Sequence, residues 1–60
     1  MKTGSQHYAE FRAYCRTLTD LQVENVLNDE TQRRRDNPGD VCAAACYAAA
    51  HDEWKRRTEE

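Results

Sequence analysis

The amino-acid sequence predicts an all-α fold, a small three-helix domain with an antiparallel helix 2–helix 3 hairpin, helix one across it, and an Ala-rich third helix. Three observations carry this prediction. Residues 41–50, VCAAACYAAA, hold six alanines and neither Gly nor Pro, a composition that favours helix over buried strand. The segment LTDLQV at residues 18–23 spells a helix start: Thr19 caps, Gln22 closes a capping box, and Leu18 and Val23 form a hydrophobic staple. The polar break DNPGD at residues 36–40 is short, so the helices on either side of it should be antiparallel neighbours.

Helix one is expected over about residues 5–17, capped by Ser5 after a frayed tail of residues 1–4. His7, Tyr8, Phe11, Tyr14, Cys15 and Leu18 share one arc of its wheel and form the expected core stripe, with Glu10, Arg12, Arg16 and Thr17 outside it. Helix two is expected over residues 20–36, with Val23, Val26, Leu27 and Glu30 on its inner face. Leu21 points away from that face, either packed beneath the junction with helix one or exposed as a contact residue. Asp29 with Arg33 and Glu30 with Arg34 are acid-before-base pairs at four-residue spacing.

Pro38 excludes helix at the residue before it and so ends helix two by about Asp36. Helix three is expected over residues 38–57, with Asn37 as cap, Pro38 first and Asp40 third. Ala43, Ala44, Tyr47, Ala50, His51 and Trp54 share the side expected to face the core. Asp52 with Arg56 and Glu53 with Arg57 repeat the four-residue pairing, and residues 58–60 are expected to fray. The remaining small face, Cys42, Ala45, Cys46 and Ala49, lets another backbone come close and suits either helix one or a homodimer seam.

A chain of 60 residues lies near the lower limit of independent folding, which leaves little material for a water-excluding catalytic pocket. None of Cys15, Cys42 and Cys46 has an adjacent base or a Gly-rich oxyanion turn, so no catalytic residue, no cofactor and no enzyme activity are expected. Cys42 and Cys46 are one turn apart, but His51 lies well round the helix from both, and the pair reads as packing rather than metal binding. Ten apolar residues span about 15 Å, too little for a bilayer. The opening MKTGSQHY has no apolar signal region, so a cytoplasmic protein with free thiols and no membrane contact is expected.

The net charge of −2 spreads over a chain of which 33% is charged, which implies no general attraction to nucleic acid. Two basic triplets stand out: Arg33, Arg34 and Arg35, and Lys55, Arg56 and Arg57. Each sits at the C-terminal end of its helix, where cations offset the helix dipole, and the hairpin places them at opposite poles. Phosphate contact by one triplet is the alternative, and it would make the protein a small nucleic-acid-binding transcriptional regulator.

The run YAEFRAYCRTLTDLQVENVLNDETQRRR at residues 8–35, joined through a polar loop to an Ala-rich helix ending WKRR, resembles the small helical proteins of bacteriophage and prophage genomes. That resemblance implies an inhibitor of the anti-CRISPR or other anti-defence type, acting inside a bacterial host. Its partner would be a host protein or protein complex, such as a defence ribonucleoprotein, blocked by surface occupation. Some anti-CRISPR proteins imitate nucleic acid with dense acidic surfaces. Here Asp20, Glu24, Asp29 and Glu30 are interleaved with arginines, a departure from that pattern. The expected contacts lie on the charged face and ends of helix two and the basic end of helix three: Asp20, Leu21, Glu24, Asp29, Arg33, Arg34, Arg35, Lys55, Arg56 and Arg57.

Overall fold

Thr3 and Thr19 start the first two helices with the same device. Each threonine hydroxyl accepts the backbone N–H of the glutamine three residues on, at 3.2 Å, and each glutamine Oε1 accepts the threonine N–H at 2.9 Å. Two otherwise unpaired amides are satisfied at each helix start. The computed structural model describes residues 2–59 and places three helices there: α1 (Gly4–Arg16), α2 (Asp20–Asp36) and α3 (Val41–Glu59). Helix one thus begins one residue before the expected Ser5 cap, because Thr3 and Gln6 complete a box that the small residues Gly4 and Ser5 conceal.

The break between α2 and α3 falls where Pro38 requires it, and Asn37 sits at φ −131°, ψ 67°, outside the helical region. The start of α3 differs from expectation. Asn37 closes α2 instead of capping α3: its backbone and side-chain amides both donate to the Arg33 carbonyl, at 2.9 and 3.1 Å. Asp40 is the cap, its Oδ1 accepting the N–H groups of Cys42 at 2.9 Å and Ala43 at 3.3 Å. Residues 38–40 therefore belong to the turn. At the other end α3 stays helical through Glu59, beyond the point where fraying was expected. What the sequence suggests for Met1 and Glu60 lies outside the described residues.

Contacts at the two ends give the topology. Arg57 near the end of α3 meets Asp20 at the start of α2, and Arg33 near the end of α2 meets Cys42 at the start of α3, so these helices are antiparallel. Gly4 lies against Val41, and the Cys15 carbonyl accepts from Arg57, so α1 runs parallel to α3. A Cβ at Gly4 would come within 3.2 Å of Val41 Cγ1, and the glycine allows this close approach of α1 to α3. Both α1 and α2 pack along α3 and touch each other only marginally, so helix one lies beside helix three rather than across a hairpin.

The seam of this arrangement is small. Ala43, Ala49, Ala50 and Cys46 of α3 are buried with Cys15 of α1 and Val23 of α2. The phase expected for α3 is therefore corrected: Ala44 and Trp54 are exposed, Tyr47 and His51 are half-buried, and the buried line runs through Ala43, Cys46, Ala50 and Glu53. On α1, Cys15 is buried as expected but Tyr14 is 52% exposed. Of the two readings of the small face Cys42, Ala45, Cys46 and Ala49, packing within the chain accounts for two of its residues. Cys46 and Ala49 are already covered within the chain, and only Cys42 and Ala45 keep partial exposure. Among the described residues no helix is long and apolar enough to cross a membrane.

Two substitutions report on this geometry with opposite signs. Ala49→Leu inserts methylenes into a closed seam and should cost about 1–3 kcal/mol in urea unfolding followed by circular dichroism. Gly39 has no positive φ, and a Cβ added there would meet nothing within 4 Å, so Gly39→Ala should stabilise by about 0.4–1 kcal/mol. A seam that accepts leucine without loss would not be close-packed.

Candidate functional site

The largest fully buried side chain is a carboxylate, Glu53 of α3. Helical spacing brings Arg56 and Arg57 onto it. Arg56 donates through Nε at 3.2 Å and Nη2 at 2.6 Å, and Arg57 Nε donates at 2.8 Å. Arg12 of α1 brings its Nε to 3.8 Å from Glu53 Oε1; this buried nitrogen has no hydrogen-bond partner and contributes charge alone. The hydrogen bonds from Arg56, joined by those from Arg57, outweigh the cost of burial and hold the Glu53 carboxyl down at about 2. Arg57 then extends the network: Nη1 donates to Asp20 at 2.8 Å and Nη2 to the Cys15 carbonyl at 3.1 Å. One carboxylate thus fixes the end of α1, the start of α2 and the last turns of α3.

A second polar string lies one residue earlier on α3. Arg12 Nη1 donates to Tyr8 Oη at 2.7 Å, and that hydroxyl donates to Asp52 Oδ2 at 2.5 Å, which with His51 and Arg12 lowers the Asp52 pKa. Asp52 therefore faces α1.

The Glu53–Arg57–Asp20 clamp holds a shallow pocket of about 310 Å³ open at this pole, lined by Asp20, Leu21, Glu24, Trp54, Arg57 and Thr58. Leu21 is 67% exposed and Trp54, the only tryptophan, is 39% exposed. Leu21 is thus exposed rather than packed beneath the junction with helix one. Asp20, with a side chain 90% exposed, and Glu24 give the apolar pair an acidic rim. The pocket sets two apolar side chains within a polar rim.

The ten expected contact residues do not form one surface. Asp20, Leu21, Glu24 and Arg57 meet at the Trp54 pole, where Arg56 is drawn to Glu53 and Lys55 pairs with Glu59 at 3.8 Å. At the other pole Arg33 pairs with Glu30 at 3.4 Å, three residues away rather than with Asp29, and Arg34 lies over the Tyr47 ring at 4.7 Å. Arg34 and Arg35 line a separate groove with Thr31, Pro38 and Tyr47. Asp29 is exposed on α2 and lines neither the Trp54 pocket nor the Arg34–Arg35 groove.

Cys42 and Cys46 bring their sulfurs to 3.9 Å, and burial with the Cys42 contact pushes the Cys46 thiol up to about 11. Cys15 is raised too, by burial and then by Glu53. All three thiols are free, and the described residues contain no cluster of three or more metal-ligating side chains.

Sequence reasoning missed Trp54 as a surface residue and Glu53 as a buried one. A signal existed: Ala43, Cys46, Ala50, Glu53 and Arg57 follow one another at alternating three- and four-residue spacings, the pattern of a continuous seam. The chain matches no protein-family model, no curated protein and no solved structure.

The clamp makes stability depend on pH in a defined window. The Glu53 pKa is lowered from 4.5 to about 2, so its contribution is complete above about pH 4.5 and is lost as pH falls through 2. Unfolding midpoints should be steady near neutrality and fall between these values. Glu53→Gln should flatten that fall and cost about 2 kcal/mol near neutral pH. An unchanged acid profile in this variant would remove Glu53 as its source.

Proposed function

We propose that the protein is a non-enzymatic protein-binding module that acts by occupying a surface on its partner, with the Leu21–Trp54 pole as the contact. One observation carries this reading. A chain with a core of alanines, cysteines and one valine leaves its single tryptophan 39% exposed and a leucine 67% exposed beside each other. Exposed apolar side chains with a polar rim mark interaction surfaces, and tryptophan is enriched among residues that dominate binding. The Arg57 clamp orders the pole before any partner arrives, which lowers the entropic cost of docking. Acids at the rim favour a partner with basic residues around an apolar anchor site. With the resemblance to phage-encoded helical proteins, this supports an inhibitor of a host or defence complex in a bacterial cell.

The test is capture from bacterial lysate with tagged protein at low and high salt, with protein and nucleic acid in the eluate identified. One protein complex retained at high salt is expected. Leu21→Glu should lose it while changing stability by less than about 0.5 kcal/mol, since Leu21 is exposed. Trp54→Ala should lose it as well. Capture of the same complex by both variants, or recovery of nucleic acid alone, would sink the proposal.

A further inference from the structure

We propose that the groove at the opposite pole, between Arg34 and Arg35 of α2 and Tyr47 of α3, binds a nucleoside phosphate unit. Glu30 takes Arg33, Glu53 takes Arg56 and Arg57, Glu10 takes Lys2, and Glu59 takes Lys55. Among the described residues no carboxylate oxygen lies within 4.0 Å of a guanidinium nitrogen of Arg34 or Arg35. The acids at this pole are engaged elsewhere. Asp36 accepts from the Gln32 amide at 3.0 Å, and Asp40 caps α3. Two cations thus face a groove of about 480 Å³, within the size range of small-ligand pockets of about 300–1,000 Å³.

Arg34 is also held in place. Its guanidinium lies 4.7 Å from the centroid of Tyr47, which is itself stacked on His51 with centroids 5.8 Å apart. A guanidinium laid on a ring keeps its N–H edge for an anion and its outer face for a planar group, so ordering it costs little at binding. Thr31 does not compete as a donor, because its hydroxyl already donates to the Leu27 carbonyl at 2.7 Å. The phosphate therefore falls to Arg35 and the edge of Arg34, and the base to the Arg34 plane, as in stacking of bases on arginine. A helix-end role alone would be met by arginines in any rotamer. The Tyr47 ring face 4.7 Å from Arg34, beside a roomy groove, is the added feature.

The experiment is a titration of the isotope-labelled full chain with AMP, adenosine and inorganic phosphate at low salt, read by amide and arginine side-chain NMR shifts. AMP should move Arg34, Arg35 and Tyr47, and bind about tenfold tighter than phosphate or adenosine. Arg35→Gln should weaken AMP about tenfold, and Arg34→Lys should keep phosphate binding but abolish the preference for AMP. Leu21→Glu, at the far pole, should lose the protein contact and leave AMP binding unchanged, which separates the two sites. A labelled single-stranded oligonucleotide followed by anisotropy identifies the source: tighter binding than AMP assigns the unit to a strand, equal binding to a free nucleotide. The proposal is overturned if AMP binds no better than phosphate, if the shifts fall equally on residues 55–57, or if a phosphotyrosine peptide binds as well as AMP.

Discussion

Glu53 is the constraint on which the structure depends. An ionised carboxylate away from water is costly, and it stays ionised only because Arg56 and Arg57 hydrogen-bond to it from the next turn and Arg12 approaches from α1. The cation that matters most is Arg57, since the same guanidinium also holds the Cys15 carbonyl and Asp20. Breaking the pair would release three helix ends together. The network also supplies something the apolar seam lacks. Sliding α3 by one turn against its neighbours exchanges alanine for alanine or cysteine, whereas Glu53 has only one position at which Arg12 can reach it.

The same choice of phase decides what faces solvent. With Ala43, Cys46, Ala50 and Glu53 turned inward, α1 and α2 approach close to α3 and leave no room for rings in the seam. Tyr47 and Trp54 are displaced to its edges, one toward each pole. The surface features follow from a small core, since a seam built on large side chains would have taken the tryptophan inside.

How far the fold was legible depends on which residues carried the information. The start of α2 was readable because Thr19, Gln22, Leu18 and Val23 agree. The end of α2 was readable because Pro38 leaves Asn37 no helical option. Thr3 and Gln6 carry the same box as Thr19 and Gln22, but with Gly4 and Ser5 between them and no staple they looked like a tail. The phase of α3 was not readable from hydropathy. Ala43 and Ala50 belong to both candidate faces, and a wheel weighted by side-chain size picks Tyr47 and Trp54. The tie is broken by Arg12 and by the α1 carbonyl that Arg57 reaches, partners at least forty residues distant in sequence. The candidate site was half legible for the same reason: Asp20, Leu21, Glu24 and Arg57 were singled out, and the ring that completes the patch was assigned to the core.

The two basic triplets look equivalent in sequence and are opposites in space. At the pole where α3 ends, Arg56 and Arg57 turn toward Glu53 and Arg57 also toward Asp20 and the α1 carbonyls, so the cations at the pocket rim are paired within the chain. At the pole where α3 begins, Asp40 caps α3 and Asp36 accepts from the Gln32 amide, so the charged side chains that line the groove are Arg34 and Arg35. Among the described residues, internal pairing spends the charge of the triplet at one end and leaves two arginines of the other triplet without an ion pair. A chain with a net charge of only −2 thereby acquires an apolar pole rimmed by the Asp20–Arg57 pair and an aromatic pole with unpaired arginines. Long-range steering at such a molecule depends on which end a partner meets, and salt should weaken contacts at the basic pole more than those at the apolar one.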